Sequence, residues 1–570
     1  MKLSVYFSYM QKHGLCKNAS LPELAMENEL LTGKQSTLIV DFSGIHKMEY
    51  FNTHLSYTCN HHIFIAQVKS FVNNLRIINI EPQFYFKGAL QGFKEIRQNK
   101  RIINDNKIAW NILRWFRDNF KFILQYYADN TLGKMYSIFS YILKYECQCH
   151  VLIVRENFFS KLATIARDDD ACLGILTTNA EYLIYDTKPI FRFTDLQFNS
   201  TITEMYDPNE FFTKISLNRS QLKLLSCLQR EQRGITLANL ENDNVLQLEN
   251  TINVIKENKW NGNEQDMSSI SEITGISENL LRKKVKMYGT SDTDVDELSH
   301  NKLLTYIEQK WTLCEMPPKI YFLLKNQKYI ENLYLGDFAD PSLPFSVSLY
   351  RTMRRKMYRV LFRGGNVYIM EVWIYNTVNM CRTSLISSFY MKYNDYIPPL
   401  EHLLSDEEYM VPIRWKLFAY CLGTNITIET LRQVEPTLLS FCCLVNYMIR
   451  NGVVLNICEL NALILQAILV SNNCDSYKDN VVLNPRHIHL SRLYERGMYN
   501  LMNVLAVCGF PFSLEHVMHW KCFDITVFIN VYNELIQGIT TNVICGLNNI
   551  DISLYEYVRL LCINNVKLRI

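Results

Sequence analysis

The chain has 570 residues, 48% of them hydrophobic and 20% charged, which supplies several domains' worth of core and excludes a disordered or collagen-like class. With 59 Lys and Arg against 56 Asp and Glu, the formal charge is only +3, so any nucleic-acid surface must be a local patch. Aromatic residues reach 12% and glycines number only 20, a composition of bulky packed helices rather than glycine-built phosphate loops.

The 17 cysteines are too sparse for a secreted disulfide scaffold and read as reduced, buried thiols of an intracellular protein, nuclear or cytoplasmic. The opening MKLSVYFSYMQKHGLCKN shows no signal-peptide pattern. The longest apolar region, Leu438 to Val470, is interrupted by Asn446, Arg450, Asn451, Asn456, Glu459 and Asn461, so no membrane span is expected.

In chain order, Thr37 to Asp41 is an apolar, partly β-branched strand ending in an acid. Ile63 to Leu75 spaces Phe64, Ile65, Val68, Phe71, Val72 and Leu75 as an amphipathic helix. Gln83 to Phe86 is a second strand, stopped at Lys87-Gly88. Trp110 to Tyr127 and Lys134 to Tyr145 are helical, His150 to Val154 is a third strand, Phe158 to Arg167 a helix, and Gly174 to Leu176 a fourth strand. Strands buried on both faces and alternating with helices predict a parallel sheet covered on each side. A functional crevice then lies beyond the carboxyl ends of the strands, at Asp41, Lys87, Glu156 with Asn157, and Asn179 with Glu181.

From Asp207 onward helical patterns dominate. Ser277 caps a helix over Glu278 to Met287, and GTSDTDVDE at Gly289 to Glu297 reads as a linker. Further helices are predicted at Val347 to Arg363, Ile413 to Leu422, Leu438 to Ile449, Glu459 to Val470, His487 to Val507 and Leu554 to Cys562.

These strand ends resemble those of the PIN-like fold of the flap-endonuclease/XPG superfamily, and within it the asteroid family. LIVDFSGIHK (Leu38 to Lys47) is similar to the first strand with its acidic end, and EPQFYFKG (Glu81 to Gly88) to a second strand that usually ends in Asp-Gly. ILTTNAEYLIYDT (Ile175 to Thr187) resembles the segment Val-Leu-Ser-x-Asp-Ser-Asp-Phe followed by Ile-Phe-Asp. SLNRSQLKLLSCLQ (Ser216 to Gln229) resembles the helix before the family's Gly-Asn-Asp. MRRKMYRVLF (Met353 to Phe362), IRWKLFAYCLG (Ile413 to Gly423), ELNALILQAIL (Glu459 to Leu469) and HIHLSRLYERGMYNLMNVL (His487 to Leu505) follow the family's order through the second half.

The resemblance implies a two-metal phosphodiesterase pocket of six or seven acids, Mg²⁺ or Mn²⁺ being held by oxygen ligands. Here the first acid is Asp41, but the second falls at Lys87. The Glu-Ala-Asp segment falls on Asn157-Phe158-Phe159 or on Phe159-Ser160-Lys161, with Glu156 next door. The Asp-Ser-Asp segment becomes Asn179-Ala180-Glu181, and Gly-Asn-Asp becomes Arg230-Glu231-Gln232. Asp41 and Glu181 align securely, Glu156 and Glu231 less so. An ammonium about 4 Å from a divalent ion costs several kcal/mol at an effective dielectric near 20, so Lys87 is expected to oppose a metal and to pair with Asp41.

Other signals have blander readings. Asp168-Asp169-Asp170 precedes a strand, on the side away from the crevice, and reads as a solvated turn. Cys147-x-Cys149-His150 lacks finger spacing and reads as core cysteines, while Cys59 with His61-His62 is equally weak for zinc. Arg351, Arg354, Arg355, Lys356, Arg359 and Arg363 spread over one arc of a helix, opposite Met353, Met357, Val360 and Leu361. That arc is either a solvated face or a surface for phosphates or an acidic partner. Lys94, Arg97, Lys100, Arg101 and Lys107 form a second cluster where the family leads into an arch over DNA, and Arg282 to Lys286 a third.

The expected architecture is an α/β PIN-like domain over residues 1–206, a degenerate helical DNA-binding region and linker over 207–297, and a helical asteroid-type domain over 298–570. The expected function is a catalytically inactive, nucleic-acid-associated or protein-interaction scaffold without cofactor. Its expected partners are structured or single-stranded DNA, or an unidentified protein. The family also carries a loose link to epidermal-growth-factor-receptor signalling. The alternative is a flap endonuclease using Mg²⁺ or Mn²⁺ at a remodelled site of Asp41, Glu181, Glu156 and Glu231.

Overall fold

A computed structural model of the chain describes residues 4–45, 61–88, 136–155, 157–197, 201–231, 244–257, 267–286, 301–331, 339–365, 367–373, 382–387, 396–424, 426–472, 481 and 484–564. The chain forms two compact units. One comprises Met1–Phe51, Ala66–Leu90 and Lys134–Glu297, and the other Asn52–Ile65, Gln91–Gly133 and Leu298–Ile570.

The first unit is built on a seven-stranded sheet in the order β1-β7-β6-β5-β2-β3-β4, with β1 Cys16–Ser20, β2 Ser36–Asp41, β3 Ile80–Lys87, β4 His150–Val154, β5 Cys172–Thr177, β6 Ile190–Arg192 and β7 Ile202–Tyr206. The four predicted strands are β2, β3, β4 and β5, and they lie parallel at the centre, with Asp41 in register with Tyr85. Their apolar runs are buried on both faces. Leu38, Ile39 and Val40 have no exposed surface, and every residue of β5 is buried. At Gly174 a Cβ would strike the Pro189 carbonyl, so only glycine allows the approach of the chain entering β6.

The fully parallel sheet expected from sequence needs correction at one edge. Strand β7 runs antiparallel to both β6 and β1. The link from Arg192 to Ile202 is too short for a crossover helix, so the returning strand comes back in the opposite direction. Helices flank the sheet: α1 Val5–Lys12, α2 Leu21–Thr32, α3 His61–Ile77, α4 Phe158–Asp168, α5 Pro208–Ile215 and α6 Arg219–Glu231. Helix α4 turns Phe158, Leu162, Ala163 and Ala166 inward, as its spacing predicts.

The second unit is mostly helical. The predicted helices are found at Met410–Leu422, Pro436–Arg450, Ile457–Ser471, Pro485–Val507 and Ile552–Ile563, and the Val347 to Arg363 pattern is split into Ser346–Leu349 and α7, Arg351–Leu361. A capping box between Asn456 and Glu459 starts one of them, and the Asn484 side chain caps another. A small sheet interrupts the helices: β8 Lys328–Ile330 pairs parallel with β9 Tyr368–Trp373, which pairs antiparallel with β10 Arg382–Ser387. No described helix is long and apolar enough to cross a membrane.

Candidate functional site

The carboxyl ends of β2 and β5 lie side by side and carry the best-defined polar cluster. Asp41 closes β2 with 1% of its surface exposed. Its Oδ1 accepts the backbone N–H of Ser43 at 2.9 Å, and its Oδ2 accepts the hydroxyl of Thr177 at 2.8 Å. Thr177 closes β5, is wholly buried, and its oxygen accepts the N–H of Asn179 at 3.0 Å. The Asn179 side chain in turn accepts the N–H of Glu181 at 3.0 Å, capping the short helix Ala180–Ile184. Glu181 is buried, as is Tyr182 beside it.

Burial pushes the Asp41 carboxyl above its ordinary value, against the opposing pull of Ser43, Thr177 and Tyr182. The Tyr182 hydroxyl makes no well-formed hydrogen bond, yet it lies close enough to Asp41 to favour the ionised form. Burial, followed by the charge of Asp41, holds the Tyr182 hydroxyl well above its usual range.

Lys87 ends β3, and its ammonium sits over the Phe159 ring, 4.7 Å from the centroid. Phe159 packs edge-on against Tyr182 at 5.4 Å, so aromatic surface lines this side of the cluster. Asn157 adopts a left-handed backbone (φ 46°) at the start of α4 without capping it through its side chain. Glu231 is the last residue of α6, but its side chain, together with Glu156 and Gln232, lies outside the described residues. The structure therefore joins Asp41 to Asn179 and Glu181 through Thr177, a link that sequence reasoning missed. Only its position at the end of a strand two residues before Asn179 could have signalled it. Among the described residues no three His, Cys, Asp or Glu side chains gather as metal ligands.

The acid run at Asp168 to Asp170 ends α4 and turns into β5 at the opposite end of the sheet. Asp169 accepts the Thr37 hydroxyl and the Ala171 N–H, and Asp168 pairs with Arg167 at 2.8 Å. Cys147 and Cys149 are buried, and desolvation pushes their thiols up to about 11 and about 12.

Of the basic positions, Lys94, Arg97, Lys100, Arg101 and Lys107 lie outside the described residues. On α7, Arg351 is exposed and Arg355 and Arg359 are half-buried, whereas Arg354 corrects the expectation of a basic outer arc. Arg354 is 1% exposed; its Nε and Nη2 meet Glu371 of β9 at 2.8 and 3.0 Å, and the Tyr358 hydroxyl donates to the same carboxylate at 2.7 Å. Burial alone would lower the Arg354 pKa, but the Glu371 charge outweighs it and holds the guanidinium charged. Arg354 is a core ion-pair residue, not part of a binding surface.

No family model matches the chain. It is similar to the constitutive coactivator of peroxisome proliferator-activated receptor gamma, at 27% identity over 239 residues for the mouse protein and 26% over 224 residues for the human one. The mouse match spans 40% of this chain and 30% of that protein, so most of the curated relative lies outside the similarity. Solved structures with some likeness include the catalytic core of Rad2 in complex with DNA substrate (16% identity, 56% of this chain and 98% of that one, TM-score 0.28). Human GEN1 in complex with Holliday junction DNA is another (12% identity, 67% and 88%, TM-score 0.27).

Proposed function

We propose that this chain is an asteroid-type relative of the flap-endonuclease/XPG superfamily in which a buried hydrogen-bond network has taken the place of the metal centre, leaving a scaffold for nucleic acid or protein. One observation carries the reading: both oxygens of Asp41 are engaged, by Ser43 and by Thr177, in a position 1% exposed. Two hard cations need several ionised oxygen ligands open to them. Here the first acid is desolvated toward its neutral form, Asn179 spends its side chain on a backbone cap, and a cation-bearing Lys87 ends the neighbouring strand. This donor set does not fit a metal pair. The name of the curated relatives, a receptor coactivator, describes association rather than turnover and supports the same direction.

The test is incubation of the full chain with flap and single-stranded DNA in Mg²⁺ or Mn²⁺, beside an Asp41→Ala control. We expect no cleavage by either protein. Cleavage that disappears in Asp41→Ala returns the chain to the enzymes, with Glu156 and Glu231 as further ligands. A salt titration of DNA affinity then separates the two scaffold roles: affinity at low salt that falls steeply with salt assigns the nucleic-acid role, and none assigns the protein role.

A further inference from the structure

Helix α2 of the first unit leads from β1 into the amino end of β2, the end of the sheet away from Asp41. It anchors itself with little: Leu21 and Ala25 are buried, and Asn28 reaches inward to the Ser36 hydroxyl and the Ala171 carbonyl. Its outer side carries Met26 (62% exposed), Leu30 (80%) and Leu31 (79%). Ile77, the last residue of α3, is 80% exposed. The Asn79 side chain donates to Glu29 at 2.7 Å, which ties the end of α3 to the end of α2 that bears Leu30 and Leu31. Together the four side chains expose on the order of 400 Å² of apolar surface, within the range of the largest apolar patch on a typical monomer, which is often functional.

The patch has a charge partner of its own. Glu23 and Glu27 are exposed and one turn apart. At 100° per residue they form a ridge alongside the Met26–Leu30 ridge. No basic residue lies on α2, and no described cation pairs with either glutamate. Lys17, on the adjoining strand, is engaged with Glu210 at 2.5 Å, and Lys34 comes only after the helix has ended at Gly33.

We propose that this face of α2 docks a basic amphipathic helix of a partner protein. The partner's apolar side chains, spaced three and four residues apart, cover Met26, Leu30, Leu31 and Ile77, while its Lys or Arg residues meet Glu23 and Glu27. The acidic ridge repels a polyanion, so the surface selects protein over nucleic acid. The inference is independent of the reading given for the Asp41 site, since the two surfaces lie at opposite ends of β2.

The experiment uses the full chain and two labelled 18-residue helical peptides with the same leucine pattern, one carrying lysine and the other glutamate at its polar positions. Anisotropy measures binding, and hydrogen exchange maps it. The expected result is binding of the lysine peptide with protection confined to α2 and the end of α3. It weakens at least tenfold in Leu30→Ser/Leu31→Ser, and in Glu23→Lys/Glu27→Lys the preference switches to the glutamate peptide. All four substituted side chains are exposed, and melting curves matching the parent chain establish that the variants fold. Absence of binding, protection elsewhere, or equal affinity for both peptides overturns the proposal. So does concentration-dependent self-association that Leu30→Ser/Leu31→Ser abolishes, because it gives this face to a second copy of the chain.

Discussion

The hydroxyl of Thr177 donates to Asp41 Oδ2 at 2.8 Å, locking together the carboxyl ends of two adjacent parallel strands. Both groups are buried, so neither can turn to water if the other is removed. Thr177→Val keeps the shape but strands a carboxylate oxygen and the Asn179 N–H. Such an orphaned buried group costs about 1–3 kcal/mol, and urea denaturation is expected to show a loss of that size without a change in slope. An unchanged midpoint would mean that water already reaches this strand end.

Asp41 also sets a pH dependence. Its folded pKa is raised above the ordinary 3.8 by burial, so the unfolded chain ionises it first as pH rises. Its contribution is complete below the unfolded pKa and is lost as pH climbs through the folded one. Asp41→Asn, which stays neutral, is therefore expected to gain on the parent chain as pH rises above the ordinary carboxyl value of 3.8. Parallel urea midpoints across that range check it, and a constant gap between the two proteins contradicts a raised Asp41.

Arg354 and Glu371 form an ion pair with side chains 1% and 2% exposed. Removing one partner of such a pair leaves a buried charge and costs about 3–5 kcal/mol, whereas replacing both by apolar groups is close to neutral. Glu371→Ala is expected to destabilise the second unit by that amount, more than Arg355→Ala on the same helix. A double-mutant cycle with Arg354→Met should recover most of the loss, and additive losses would show that the two residues act separately.

The legibility of these features from sequence depended on how local their causes are. Helix α4 and the helix Pro485–Val507 were readable because apolar residues repeat at three and four positions along one segment. The pairing of β1 with β7 was not, since CKNAS carries little apolar pattern and its partner lies far along the chain. The sequence pattern alone puts Arg354 on one arc with the other five basic residues of this helix. In fact it precedes the buried Met357 and Tyr358 by three and four positions, on the same inward face, and its partner Glu371 lies on an unpredicted strand. At the candidate site the sequence placed the strand ends but not the Thr177 hydroxyl that connects them.

The buried cysteines before β4 and at the start of β5 are expected to be inert in the folded chain. Cys147 and Cys149 are pushed up to about 11 and about 12 by burial, and Cys172 to about 11, leaving almost no thiolate at neutral pH. Alkylation followed by peptide mapping should leave these three unlabelled until denaturant is added. Rapid native labelling of Cys147 and Cys149 together, quenched by zinc, would reopen the metal reading for that pair.

Two buried histidines make the second unit sensitive to mild acid. His487 is wedged edge-on against Phe528 and Tyr532, at 5.2 and 4.6 Å, and burial lowers its pKa to about 4 despite the opposing charge of Glu459. His519 is likewise lowered to about 4 by burial, with Glu495 raising and Arg492 lowering it. A folded pKa below the ordinary 6.5 means that the unfolded chain takes up protons first as pH falls. The stabilisation is whole above pH 6.5 and is lost progressively down to about pH 4, on the order of 2–3 kcal/mol for each ring. Thermal melts of the parent chain should fall steeply over that window, and His487→Gln/His519→Gln, though less stable at neutral pH, should fall less. If parent and double variant lose stability in parallel, the acid sensitivity resides in other groups and these rings titrate normally.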